Sequence, residues 1–150
     1  MKHELIHPFL MWAFVIIGII IVNVAFSAKI YLLDIAVLRW LLLPAVAYWC
    51  LISISAQRMH KQAAKSVANI TKINKTGIYG AVRHPMYSSN IILTAGIFFF
   101  RPTLRILLIA VWMIAVFLIW MNLEEKALEE RFGDEYKKYK KKVPMFLPRF

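Results

Sequence analysis

Residues 106–132 read ILLIAVWMIAVFLIWMNLEEKALEERF. Residues 106–123 carry no charge, and Glu124-Glu125 follow at once. An α-helix rises about 1.5 Å per residue, so a run near 20 residues crosses the roughly 30 Å hydrocarbon layer of a bilayer. The stretch therefore reads as a membrane helix that continues without a breaker into a charged, amphipathic extension. Three further charge-free windows lie N-terminal to it: Leu5 to Ala28, Trp40 to Gln57, and His84 to Phe100. The third is the shortest, and spans only if flanking groups snorkel or the bilayer thins. With 61% hydrophobic side chains in 150 residues, the chain is more apolar than a soluble domain of that size. The expectation is an all-α fold, one domain over residues 1–150, built as a bundle of four transmembrane helices with interfacial segments.

The apolar residues come in blocks such as Val15 to Val22, which argues against the alternation of a β-barrel. The run after Pro8 is longer than a signal-peptide core and is read as the first membrane helix. The short stretch Lys29 to Asp34 predicts that the first two spans form an antiparallel hairpin, with Pro44 kinking the second. Asp34 and Arg39 are read as interfacial groups.

The net charge of +11 is distributed as membrane topology requires. Arg58, Lys61, Lys65, Lys72, Lys75 and Arg83 lie between the second and third spans, and a second cationic group, from Lys126 to Arg149, follows the fourth. The positive-inside rule then puts both termini and the central loop in the cytoplasm. The Tyr136 to Lys142 segment mixes lysines with tyrosines. Beside a membrane this reads as attraction to anionic headgroups, not as a nucleic-acid groove. The alternation of Met59, Ala63, Ala64, Val67 and Ala68 with cations between Gln57 and Lys75 predicts a helix along the inner membrane face. Cys50 stands alone, and His3, His7, His60 and His84 are scattered; no metal site is expected.

Chemistry concentrates in two places. The loop Thr76-Gly77-Ile78-Tyr79-Gly80-Ala81-Val82-Arg83-His84-Pro85-Met86-Tyr87 brings a cation, an imidazole and two phenols to the membrane surface. Such groups are held at that depth where they face a cavity, a ligand or each other. Glu124-Glu125 lie at the same end of the next span, so the two groups should meet. Two readings fit the spacing: an Arg83–Glu124 ion pair that clamps the hairpin, or a pocket for a zwitterionic nucleoside. In the charged extension, Glu125 with Glu129 and Lys126 with Glu130 have i, i+4 spacing and are read as mostly solvated, with Leu128 and Phe132 as an apolar stripe and Gly133 as the C-cap.

The ordered blocks Thr76-Gly77-Ile78-Tyr79, Val82-Arg83-His84-Pro85-Met86-Tyr87, Glu124-Glu125, Phe132-Gly133, Tyr136, Tyr139 and Val143-Pro144 resemble the isoprenylcysteine carboxyl methyltransferase and phospholipid methyltransferase superfamily of integral membrane enzymes. The resemblance covers about residues 71–148. It implies an S-adenosylmethionine-dependent methyltransferase acting on a lipophilic or lipid-linked acceptor, with membrane lipids as surroundings. Carried over by position, Ile73, Asn74, Tyr79, His84, Pro85, Met86, Tyr87 and Glu124 would line the cofactor. Glu124 and Arg83 would form the catalytic set, Arg83 holding the loop. Ser89 stands where many members have glycine, and Trp120, where prenylcysteine enzymes have arginine, would meet the acceptor. The alternatives are an NAD(P)H-dependent membrane reductase of the sterol-reductase type, with a similar His-Pro-x-Tyr pattern, and a non-catalytic membrane scaffold.

Overall fold

The computed structural model describes residues 8–27, 29–33, 35–59 and 70–146. Helix α1 (Pro8–Ala25) is followed by a 3₁₀ helix (Ala36–Leu41) that runs into α2 (Leu42–Met59); a short α3 (Ile78–Ala81) precedes α4 (Pro85–Phe100), α5 (Leu104–Phe132) and α6 (Asp134–Lys142). The only β-pairing among the described residues is one isolated antiparallel bridge, Tyr31 to Thr103. Pro8–Ala25, Ala36–Arg58 and Leu104–Phe132 are each long and apolar enough to cross a membrane, and Pro85–Phe100 is a shorter apolar helix. The protein is an all-α integral membrane bundle. Most of the apolar side chains of α1 and α2 face outward, including Phe9, Ile20, Leu43 and Leu51, as a lipid solvent allows.

The helix order in space differs from the expected hairpin. α1 packs on α5, α5 on α4, and α4 on α2, whereas α1 and α2 are not a packed pair. Two glycine notches account for the choice of partner. A Cβ on Gly18 would lie 1.9 Å from Trp112 Nε1, and one on Gly96 would lie 2.5 Å from the Ala45 Cβ. Without a hydrophobic drive between helices in lipid, close backbone approach at small residues decides which helices associate. Gly96→Ala is therefore expected to lower the melting temperature in detergent, at a cost of about 1–3 kcal/mol of overpacking. Gly18→Ala should also destabilise, because the Trp112 ring would have to move aside and give up the 3.0 Å hydrogen bond from its Nε1 to Phe14 O.

Pro44 sits in the first turn of α2, just past the 3₁₀ segment, where its missing N–H costs nothing; the expected kink is a change of helix type at its N-terminal side. One end of the bundle is stapled by Leu32 N–H to Pro102 O at 2.8 Å and Leu104 N–H to Ile30 O at 2.9 Å. There Thr103 caps α5 by accepting from Ile106 N–H. α5 has 29 residues, about 44 Å at helical rise. Its part through Leu123 is apolar and long enough to cross the hydrocarbon layer, and Glu124 begins its charged extension. Gly133, at φ 54°, ends α5 and turns the chain into α6, so that α6 folds back toward the Arg83 loop. The inner-face helix expected between Gln57 and Lys75 falls mostly on residues 60–69, outside the described residues, and residues 70–75 are not helical. His3, His7, His60 and Asp34 also lie outside them.

Candidate functional site

A cavity of about 300 Å³ opens at the end of the bundle opposite the staple, where α1, α4 and α6 begin and α5 projects. Its wall contains every residue expected to line a cofactor: Ile73, Asn74, Tyr79, His84, Pro85, Met86, Tyr87 and Glu124. Arg83 and Asn90 join them, together with Pro8, Met11 and Trp12 from α1, which the sequence did not single out. The volume is at the lower end of small-molecule sites.

Local chemistry positions the polar loop. Gly77 adopts φ 57° ahead of α3, a conformation that a side chain resists. Pro85 occupies the first turn of α4, where its fixed φ suits a helix start. The C-terminal segment then straps the loop down. Arg83 N–H donates to Pro144 O at 2.9 Å and His84 N–H to Met145 O at 3.2 Å, while Ser88 Oγ donates to Phe146 O at 2.8 Å. On the far side, Tyr139 Oη donates to Tyr79 O at 2.6 Å and Lys75 pairs with Glu135. Burial, and after it the charge of Glu124, pushes the Tyr79 phenol up to about 12. Burial does the same for Tyr139, also about 12, against the lowering pull of Arg83. Both are neutral hydrogen-bonding groups at any physiological pH.

The two adjacent glutamates part company. Helical neighbours point about 100° apart. Glu125 turns into the protein, 2% exposed, where Arg83 Nε lies 2.8 Å away, Lys140 Nζ 2.8 Å and His84 Nε2 3.2 Å. Burial alone would raise its pKa, but hydrogen bonds from His84, Lys140 and Arg83, with the guanidinium charge, outweigh it and hold Glu125 at about 2. The expectation that this residue is solvated beside Glu129 is overturned. Arg83 pairs with Glu125 rather than with Glu124, and its Nη1 also donates to the carbonyls of Lys140 and Val143. The reason is α6: by folding back from Gly133 it covers Glu125 and brings Lys140 between Glu125 and Glu129.

Glu124 turns to the cavity. It accepts a 2.7 Å hydrogen bond from Tyr87 Oη and lies 3.8 Å from His84 Nδ1. Burial pushes its carboxyl up, only partly offset by His84 and the Tyr87 hydrogen bond, with the charge of Glu125 pushing the same way as burial. Ionised Glu125 can only accept, so His84 Nε2 carries a hydrogen and Nδ1 faces Glu124. A carboxylate held in the ionised form thus orients the imidazole, and a second carboxyl, pushed the other way by burial, lines the cavity. Divergent pairs of this kind occur both in acid–base sites and in structural ion-pair networks.

Trp120 lies in the core cluster with Met11, Val15, Phe117 and Met121, not in the cavity wall. It is 8% exposed, tilts against Phe14, and its Nε1 finds no hydrogen-bond partner among the described residues. Ser89 is fully buried, its hydroxyl donating to Met86 O.

Residues 35–135 match the phospholipid methyltransferase family. Methanethiol S-methyltransferase 1 of Bradyrhizobium diazoefficiens is 38% identical over 78 residues, 47% of this chain; the chain spans about a quarter, 24%, of that protein's length. No solved structure matches. With its matched segment running from the 3₁₀ helix into α6, the chain belongs to the phospholipid methyltransferase family.

Proposed function

We propose that this membrane methyltransferase-family protein moves a methyl group from S-adenosylmethionine to a lipophilic acceptor that enters from the bilayer. The observation that carries the reading is the shared cavity: an aromatic, partly polar chamber that holds Glu124 beside Tyr87 and His84, with Lys72 and Asn74 in its wall. This donor set fits the cofactor. Lys72 and Asn74 suit its amino-acid carboxylate, Tyr79, Tyr136 and Tyr139 offer flat faces for adenine, and Glu124 with the Tyr87 ring suits a sulfonium. When bound, the cofactor supplies an electrophilic methyl carbon, whose bond to sulfur breaks as the acceptor's lone pair bonds to it.

The chain's own residues then align and deprotonate. Confinement of two reactants in one chamber contributes several kcal/mol. Glu124 takes the acceptor's proton on Oε2, and Tyr87 holds the carboxylate in place through Oε1. Arg83, engaged with Glu125 and two carbonyls, is a positioning residue that fixes His84 through Glu125. Membership of the family supports transfer over the reductase reading, and the poised Glu124 supports an enzyme over a scaffold. In this reading the cavity end of the bundle faces the cytoplasm, with both termini.

Incubation of the purified protein with methyl-labelled cofactor and a total lipid extract tests the proposal. Label should appear in the organic phase and depend on Glu124; a protein that binds S-adenosylhomocysteine yet labels no extractable product under any acceptor supplied would count against it.

A further inference from the structure

The cavity has two chemically different ends. At one lie Lys72, exposed, with Ile73, Asn74, Tyr79, Tyr136 and Tyr139. These residues belong to segment 72–74, α3 and α6, outside the apolar helices α1, α2, α4 and α5. At the other lie Pro8, Met11 and Trp12 of α1 with Asn90 of α4. A ladder of rings joins that end to the acid–base pair: Trp12 to Phe117 at 6.0 Å, Phe117 to Tyr87 at 5.3 Å, and Tyr87 to His84 at 5.6 Å. Trp12 both lines the cavity and is 41% exposed on the outer face of α1, so it stands at a rim between chamber and lipid. Among the described residues, α1 and α4 each pack on α5 and not extensively on each other, and both contribute to this end of the wall.

The charges at this end restrict what can enter. Glu124 lines the space with His84 and Tyr87 beside it, and in its ionised form it repels an anion. Arg83 is turned to Glu125 and the C-terminal carbonyls. Asn90 has its amide occupied on both sides, accepting from Trp49 Nε1 and donating to Met86 O. A carboxylate or phosphate brought here would be desolvated beside a carboxyl, at a cost of several kcal/mol. An apolar molecule with a neutral S–H or N–H meets rings, a thioether from Met11, and a carboxylate ready to accept its proton.

We propose that Met11 and Trp12, at the inner end of α1, form the acceptor wall, and that it selects an apolar, phosphate-free acceptor whose nucleophile is a thiol or an amine. The inference rests on the methyl-transfer reading above. Both residues lie on α1, N-terminal to the segment matched by the family, residues 35–135.

The test uses the full chain in nanodiscs, with octanethiol, octylamine, octanoate and a dioctanoyl phosphatidylethanolamine as competing acceptors, and octyl methyl sulfide, the methylated form of the thiol, as an occupant with no proton to give, its binding read without methyl donor. Octanethiol or octylamine should be methylated at least about tenfold faster than the other two, the size of discrimination a pocket achieves by excluding one group. Trp12→Ala should weaken octyl methyl sulfide binding, read by fluorescence, about fivefold to tenfold, with Trp12→Phe restoring it and S-adenosylhomocysteine affinity by calorimetry unchanged in both. Preference for octanoate or the phospholipid, or no methylation of any of the four by protein that binds S-adenosylhomocysteine, overturns the acceptor class alone. Unchanged sulfide binding in Trp12→Ala overturns the wall. Failure of S-adenosylhomocysteine to bind the wild type removes the parent reading, and this one with it.

Discussion

Glu125→Ala should be the most damaging single substitution for the folded protein. The residue is 2% exposed and holds Arg83, His84 and Lys140 at once. Removing one partner of a buried ion pair leaves the other charge uncompensated, at about 3–5 kcal/mol. Arg83 is the side chain left exposed to that penalty, 9% accessible in the pair. Thermal melting in detergent should show a large fall, and S-adenosylhomocysteine binding should be lost as the loop relaxes. Glu129→Ala is the control: it removes only the Lys140 partner at 2.8 Å on a half-exposed surface, worth about 1 kcal/mol or less. The same carboxylate sets an acid limit. Its folded-state value, about 2, lies below the ordinary 4.5, so its stabilising contribution is complete above about 4.5 and is lost as pH falls toward 2. A melting profile with Glu125→Gln as comparison should be flatter over that window.

The largest catalytic effect is expected from Glu124→Gln. The amide keeps an oxygen for the Tyr87 hydroxyl but cannot take a proton, so turnover should fall about 10²–10⁴-fold, the usual worth of a general base. Binding of S-adenosylhomocysteine should survive, because shape and hydrogen bonding are kept. Stability should hold or rise, since burial disfavours the charged carboxylate. A base works only when ionised, and the Glu124 carboxyl is pushed up by burial, so with Glu124 in that role turnover of the wild type should climb with pH through a value above the ordinary carboxylate range. Loss of that rise in Glu124→Gln is the signature of a base; a parallel profile at lower amplitude would mean that Glu124 only shapes the chamber.

How far the sequence could be read depended on whether a feature is local. The membrane helices were legible because a charge-free run of the right length has few other uses, and Gly133 and Pro85 punctuate them as backbone chemistry requires. The meeting of the Arg83 loop with Glu124-Glu125 followed from their place at the same end of two consecutive spans. Helix partners were not legible. Gly18 and Gly96 look like ordinary glycines until Trp112 and Ala45, far along the chain, are seen to fill them. The role of Glu125 was hidden by its i, i+4 relation to Glu129, which in isolation describes a solvated face. Only the reversal at Gly133, which lays Lys140 and the carbonyl of Val143 against Arg83, buries it. A signal was present in the sequence all the same: a cationic stretch within reach of two glutamates across a glycine turn. The α1 wall of the cavity left no such trace, since Met11 and Trp12 read as lipid-facing residues wherever they stand in an apolar run.

The claim beneath all of this is that one chamber, closed by α4, α5 and α6, holds a nucleoside-bearing methyl donor. Titration calorimetry of S-adenosylhomocysteine into the detergent-solubilised protein tests it directly. One saturable site is expected, weakened about tenfold or more by His84→Ala, the loss of a well-placed polar contact and its packing. Absence of binding, binding of NADPH in its place, or an affinity indifferent to His84 would contradict it.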